Sequence, residues 1–147
     1  MSEVDFIIQS VKDSYDGQAW HGPNIMSILD KIPENQSGTR IGSGHSIAEL
    51  VLHMTAWRNF VIQKLEGNDS YDVSNEENFP RPGDWENTLK ILRESQFKLI
   101  EAIEKFGAKK LDQTVAGRKY TFRKLLHGIV DHDLYHLGQI VMITKQF

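Results

Sequence analysis

His132 and His136 stand one helical turn apart in the run His-Asp-Leu-Tyr-His-Leu-Gly-Gln, and His53 lies in an earlier segment that also reads as helix. Residues i and i+4 share a face of an α-helix, so the pair can chelate one metal ion. A third imidazole from a neighbouring helix would complete a three-histidine set with room left for water or substrate. On helical wheels all three histidines fall on the flank of an apolar stripe. That position suits a site at the rim of a bundle, open to solvent on one side. The spacing alone leaves a second reading open. A chain with six histidines can show one i,i+4 pair on an ordinary helix surface.

Other residues near these histidines divide between chemistry and packing. Gln139, about one turn after His136, could hydrogen-bond a ligand or a metal-held water, or bridge to a neighbouring backbone group. Glu49 could orient His53, but a role in capping its own helix already accounts for it. Trp57 and Tyr135 are candidates to line a pocket, although aromatics at helical spacing are more often core. His45 sits beside a cap, His127 is rotated away from the pair, and His21 has no evident role. Arg58 and Asp133 each stand near the centre of an apolar stripe. A charge facing a core must be paired or it costs several kcal/mol, so the two are expected to meet across the bundle. No residue can be assigned as catalytic from the sequence.

Four main segments with helical periodicity must position these groups. Val4, Ile7, Ile8, Val11 and Tyr15 mark the first, and a helix over Trp20–Lys31 is predicted to follow, with Pro23 in its first turn. Ser46 and Glu49 form a capping box ahead of the stripe Ile47, Leu50, Val51, Met54, Val61 and Leu65. Asp84 caps the third segment, carrying Trp85, Leu89, Leu92, Leu99, Ile103 and Phe106. Thr121 caps the last, which runs to about Lys145 with Leu125, Leu126, Ile129, Val130, Leu137, Ile140 and Val141 inward. A short hairpin over 115–120 is a weaker expectation. Four amphipathic helices bury their stripes best against one another, which predicts an all-α four-helix bundle in a single domain over 1–147. The connectors 32–44 and 67–83 are long for a compact domain and point to function or to an unusual connection order.

Composition narrows the function classes. A formal charge of -3 without a dense basic block argues against nucleic-acid binding. No cysteine means no disulfide, no thiolate ligand and no thiol nucleophile of the protein's own. The acidic start is no signal peptide, and no apolar run is long enough to span a bilayer, so a soluble cytoplasmic protein is expected.

Taken together, Trp20 with Gly22, the run His45-Ser-Ile-Ala-Glu-Leu-Val-Leu-His53 followed by Trp57-Arg58, Asn78-Phe79-Pro80 with Trp85, and His127-Gly-Ile-Val-Asp-His-Asp-Leu-Tyr-His-Leu-Gly-Gln-Ile140 resemble the DinB superfamily. The last motif is the most specific. The resemblance implies a four-helix bundle with up-down-down-up connections. It also implies a divalent metal, commonly nickel or zinc, held by His53, His132 and His136.

Some members of that superfamily are metal-dependent transferases or isomerases that use low-molecular-weight thiols, and many have no assigned reaction. The resemblance therefore implies a small thiol cosubstrate and an electrophile as partners. The chain has no large second domain of the kind mycothiol-using members carry, so a single-domain thiol S-transferase is the nearer expectation. A metal with three neutral imidazoles and an open position would lower the pKa of a bound thiol or water, and the absent cysteine fits a sulfur brought by the cosubstrate. Two alternatives stand beside it: a non-catalytic stress or sensor protein with a structural or regulatory metal, and a metal-dependent hydrolase. A homodimer formed through a helical face is compatible with each.

Overall fold

The computed structural model describes residues 1–147 and is helical throughout. Its α-helices are α1 (Glu3–Tyr15), α2 (Ile25–Leu29), α3 (Ile47–Leu65), α4 (Asn75–Asn78), α5 (Trp85–Phe106) and α6 (Phe122–Thr144). Side chains satisfy the free N–H groups at each α-helix start: Ser2, Asn24, Ser46, Ser74, Asp84 and Thr121. At α1, α3 and α4 an acidic residue three positions on closes a reciprocal capping box. Gly107 stops α5 at φ 71°, a backbone conformation that a side chain disfavours.

The core falls into two clusters at opposite ends of the bundle, and they reveal the helix directions. One end gathers Val4, Ile7, Val11, Phe60, Val61, Leu65, Leu99, Ile103, Leu126 and Ile129. The other gathers Tyr15, Ile47, Leu50, Met54, Trp85, Leu92, Leu137, Ile140 and Ile143. Thus α1 and α6 run one way and α3 and α5 run the other, an up-down-down-up order. Because α3 and α5 are parallel, the chain between them must travel back along the bundle. The return spans about 28 Å, the length of a helix of α3's 19 residues. That requirement explains the long 66–84 connector.

Arg58 and Asp133 meet as expected. Both are almost fully buried, and Arg58 Nε donates to Asp133 Oδ2 at 2.8 Å. Arg58 Nη1 donates to Gln96 Oε1 at 2.7 Å, and Gln96 Nε2 donates to the Val11 carbonyl at 3.3 Å. One hydrogen-bonded chain therefore joins α3, α6, α5 and α1. The guanidinium also lies 5.5 Å from the Tyr15 ring centroid. Burial holds the Asp133 carboxyl above its ordinary value despite the cation beside it.

One local expectation fails and another is met only in minimal form. The predicted helix over Trp20–Lys31 shrinks to Ile25–Leu29. Gly22 takes φ 123°, Asn24 rather than an earlier residue caps the helix, and Pro23 stands ahead of the cap. Asn24 Nδ2 also donates to the Gly17 carbonyl, so the polar segment satisfies itself without forming a helix, and Trp20 is fully exposed. The 115–120 segment forms no strand pair. It is a turn in which Arg118 N–H donates to Val115 O, closed by a single bridge between Thr114 and Thr121.

Arg58→Ala should lower unfolding free energy by about 3–5 kcal/mol, because it strands a buried carboxylate. Arg58→Leu combined with Asp133→Leu should recover most of that loss. Urea denaturation of the three proteins checks both outcomes; equal stability for Arg58→Ala and the unmodified chain would remove the pair's structural role.

Candidate metal centre

Helices α3 and α6 run antiparallel, and their contact brings His53 beside His132 and His136. One ring nitrogen from each of the three lies within 4.8 Å of the other two. Nε2 of His132 is 3.1 Å from Nε2 of His53 and 3.1 Å from Nε2 of His136. Two nitrogens bonded to one ion at about 2.0–2.1 Å, with bonds at roughly 90–109°, sit about 2.8–3.4 Å apart. Both of these separations match that spacing.

The outer ring nitrogens decide which atoms face inward. His53 Nδ1 lies 2.7 Å from the Asn78 carbonyl oxygen, which can only accept, so this nitrogen donates and Nε2 keeps its lone pair. His136 Nδ1 likewise donates to Gln139 Oε1 at 2.6 Å. Two lone pairs then converge on His132 Nε2. His132 Nδ1 is buried without a partner, so no neighbour fixes its tautomer and its proton is free to sit on the outer nitrogen. Three imidazoles disposed in this way fit a single divalent cation.

The site is more enclosed than flank positions suggested. His53 and His136 are buried, and His132 is half-buried. The cover comes from the connector. Phe79 stacks on His53 with ring centroids 4.1 Å apart, and on its other face it stacks on His45 at 3.6 Å. Trp57 Nε1 donates to Asn78 Oδ1 at 2.8 Å, which pins the short helix α4 against α3. Burial lowers the pKa of His53. It lowers that of His132 further, to about 4, with the charges His136 and His53 would carry pushing the same way. Imidazoles held neutral present lone pairs that protons do not contest.

The remaining sequence candidates separate. Gln139 touches the cluster directly through His136. Tyr135 stands edge-on to His136 at 5.1 Å and is mostly exposed. Trp57 acts through Asn78 and faces the His132 ring at 6.2 Å. Glu49 does not orient His53. Its carboxylate accepts from the Ser46 N–H and from Arg40, and it lies 3.4 Å from His45 Nδ1, so it belongs to the cap and the loop ahead of it. Asn78, Phe79 and His45 shape the site without having been singled out for it. The Ser74-Asn-Glu-Glu77 capping signature was available to mark a helical turn in that connector.

Beside His136 opens a cavity of about 630 Å³, walled by Leu50, Phe79, Tyr135, Met142 and Ile143 together with the loop from Ile41 to His45. An ion held by the histidines would have a neighbouring volume of small-molecule size.

The family model of the DinB superfamily matches residues 19–140, a span that contains all three histidines, the Asn78-Phe79 turn and Gln139. No curated protein and no solved structure matches the chain.

In chelator-treated protein, stability should fall as pH drops from about 6.5 toward 4. Between the ordinary histidine value of 6.5 and the folded His132 value of about 4, the unfolded chain binds a proton that the folded chain refuses. Urea midpoints measured across this range should fall less steeply for His132→Gln; parallel profiles for the two proteins would contradict the buried neutral imidazole.

Proposed function

This chain belongs to the DinB superfamily, and we propose that His53, His132 and His136 bind one divalent metal ion, nickel or zinc, serving transfer of a low-molecular-weight thiol to an electrophile. The observation that carries the metal reading is the pair of 3.1 Å Nε2 separations, with both outer imidazoles locked in the tautomer that turns a lone pair inward. A divalent ion held by neutral imidazoles supplies a Lewis acid that favours the deprotonated form of a thiol or water beside it.

The chain's own residues supply the rest. Asn78 and Gln139 hold two of the imidazoles in register. Phe79 and Trp57 close one side against water. The cavity beside His136 gives the reacting partner a place to lie. The protein contains no cysteine, so the sulfur comes from the cosubstrate. In the transfer, the thiol S–H bond breaks, sulfur bonds to the electrophilic carbon as that carbon's bond to its leaving group breaks, the leaving group departs with the bonding pair, and the thiol proton passes to it or to solvent. The open cavity favours this reading over a purely structural metal, for which a filled cleft would serve as well.

Elemental analysis of purified protein should find close to one divalent ion per chain, lost in His132→Ala. A wild type without metal, or a mutant with unchanged content, would reject these ligands. A panel of small thiols against model electrophiles should then show turnover that chelation abolishes and added metal restores.

A further inference from the structure

The cavity beside the histidines has a composition that bears on what can enter it. Its lining includes no lysine and no arginine, and the only titratable side chains besides Tyr135 are two histidines, His45 and His136. Arg40, next in the loop, is already engaged: its guanidinium donates to the Gly44 carbonyl and to Glu49, each at 3.1 Å. Glu49 also lies 3.4 Å from His45 Nδ1. No free lysine or arginine therefore faces the cavity, and the only cation beside it would be an ion held by the three histidines.

Its mouth is apolar where a surface is ordinarily polar. Ile41, Tyr135 and Met142 are 51%, 67% and 61% exposed, three large hydrophobic side chains around one opening. Exposed apolar groups clustered in this way mark a binding surface more often than isolated ones do. Both faces of Phe79 are covered by imidazoles, so it offers its edge, whereas the exposed Tyr135 ring offers a face. One polar group on the wall is left with donors to spare. Gln139 gives its oxygen to His136, and its amide N–H groups have no protein acceptor.

We propose that this cavity binds an uncharged molecule with an apolar, ring-bearing body and one carbonyl-type acceptor directed at Gln139. It is then the berth of the electrophile, and the charged ends of a peptide-like thiol lie outside it. The identification of the occupant as an electrophile rests on the thiol-transfer reading above; the ligand chemistry rests on the cavity alone. In the metal-free protein a carboxylate placed there would lose water and gain no countercharge from the lining side chains, whereas a neutral amide or ketone keeps its one hydrogen bond and buries its ring.

A matched pair of probes separates these chemistries. Naphthalene-2-carboxamide and naphthalene-2-carboxylate have nearly the same shape and differ in charge. Calorimetric titration of both is done on the protein as purified and after chelation, with metal content measured on each sample. In the chelated protein the amide should bind at least tenfold more tightly than the carboxylate. Met142→Arg, at an exposed position, should keep the fold and invert that preference. Equal or tighter carboxylate binding to the chelated wild type would overturn the proposal. So would the absence of binding by either probe, or a Met142→Arg protein with unchanged affinities. If sedimentation shows that Met142→Arg dissociates an oligomer and the wild type binds no amide, the mouth is an interface between copies of the chain, and the proposal is again overturned. Amide preference in a protein that carries no metal as purified would uphold the cavity's chemistry while rejecting the metal centre.

Discussion

A single guanidinium holds the four long helices in one register. Arg58 reaches Asp133 on α6 and Gln96 on α5, and Gln96 passes the connection to the Val11 carbonyl on α1. Apolar stripes alone allow helices to slide by a turn, because one leucine packs much like another. A buried cation admits one arrangement, since any slide strands a charge in the core. The consequence for the site is immediate. Asp133 lies between His132 and His136 in sequence, and Arg58 lies just beyond Trp57 on the helix that carries His53. The contact that sets α3 against α6 therefore also sets the level at which the three imidazoles meet.

The second constraint is topological. Parallel α3 and α5 oblige the chain to return along the outside of the bundle, and the return passes over His53. What would otherwise be a costly long loop becomes part of the site. It provides the Asn78 carbonyl that fixes one imidazole's tautomer, the Asn78 amide that ties down Trp57, and the Phe79 ring inserted between two histidines. Connection order and site architecture are one feature in this protein.

Much of this was legible from residue type and spacing. The stripes of α1 and α3 read correctly because each apolar side chain at helical period has only one place to go, and all of those positions are buried. Arg58 and Asp133 were conspicuous because they broke the stripes. The spacing of His132 and His136 marked a chelating pair with His53 as a candidate third, and the resemblance to the DinB superfamily joined the three into one set. The carbonyl of Asn78 was not legible, since a backbone acceptor leaves no trace in residue identity. The enclosure of the site was missed for a related reason: helical wheels place a residue against its own helix and say nothing of a connector folded over it. The helix over Trp20–Lys31 was overextended because the apolar spacing of Ile25, Ile28, Leu29 and Ile32 outweighed the turn chemistry of Gly22, Pro23 and Asn24. Glu49 could be read as cap or as site residue, and its hydrogen bonds place it with the cap.

His53 and His132 touch although they stand 79 positions apart in the chain. Whatever bonds to both nitrogens closes a loop of that size, and in a protein without cysteine nothing else covalently or coordinately ties its halves. By the chain-entropy reasoning applied to disulfides, such a closure stabilises the native state on the order of 4 kcal/mol. A cation gripped there would be a reversible staple, set by the ion's availability and not by the redox state of the surroundings.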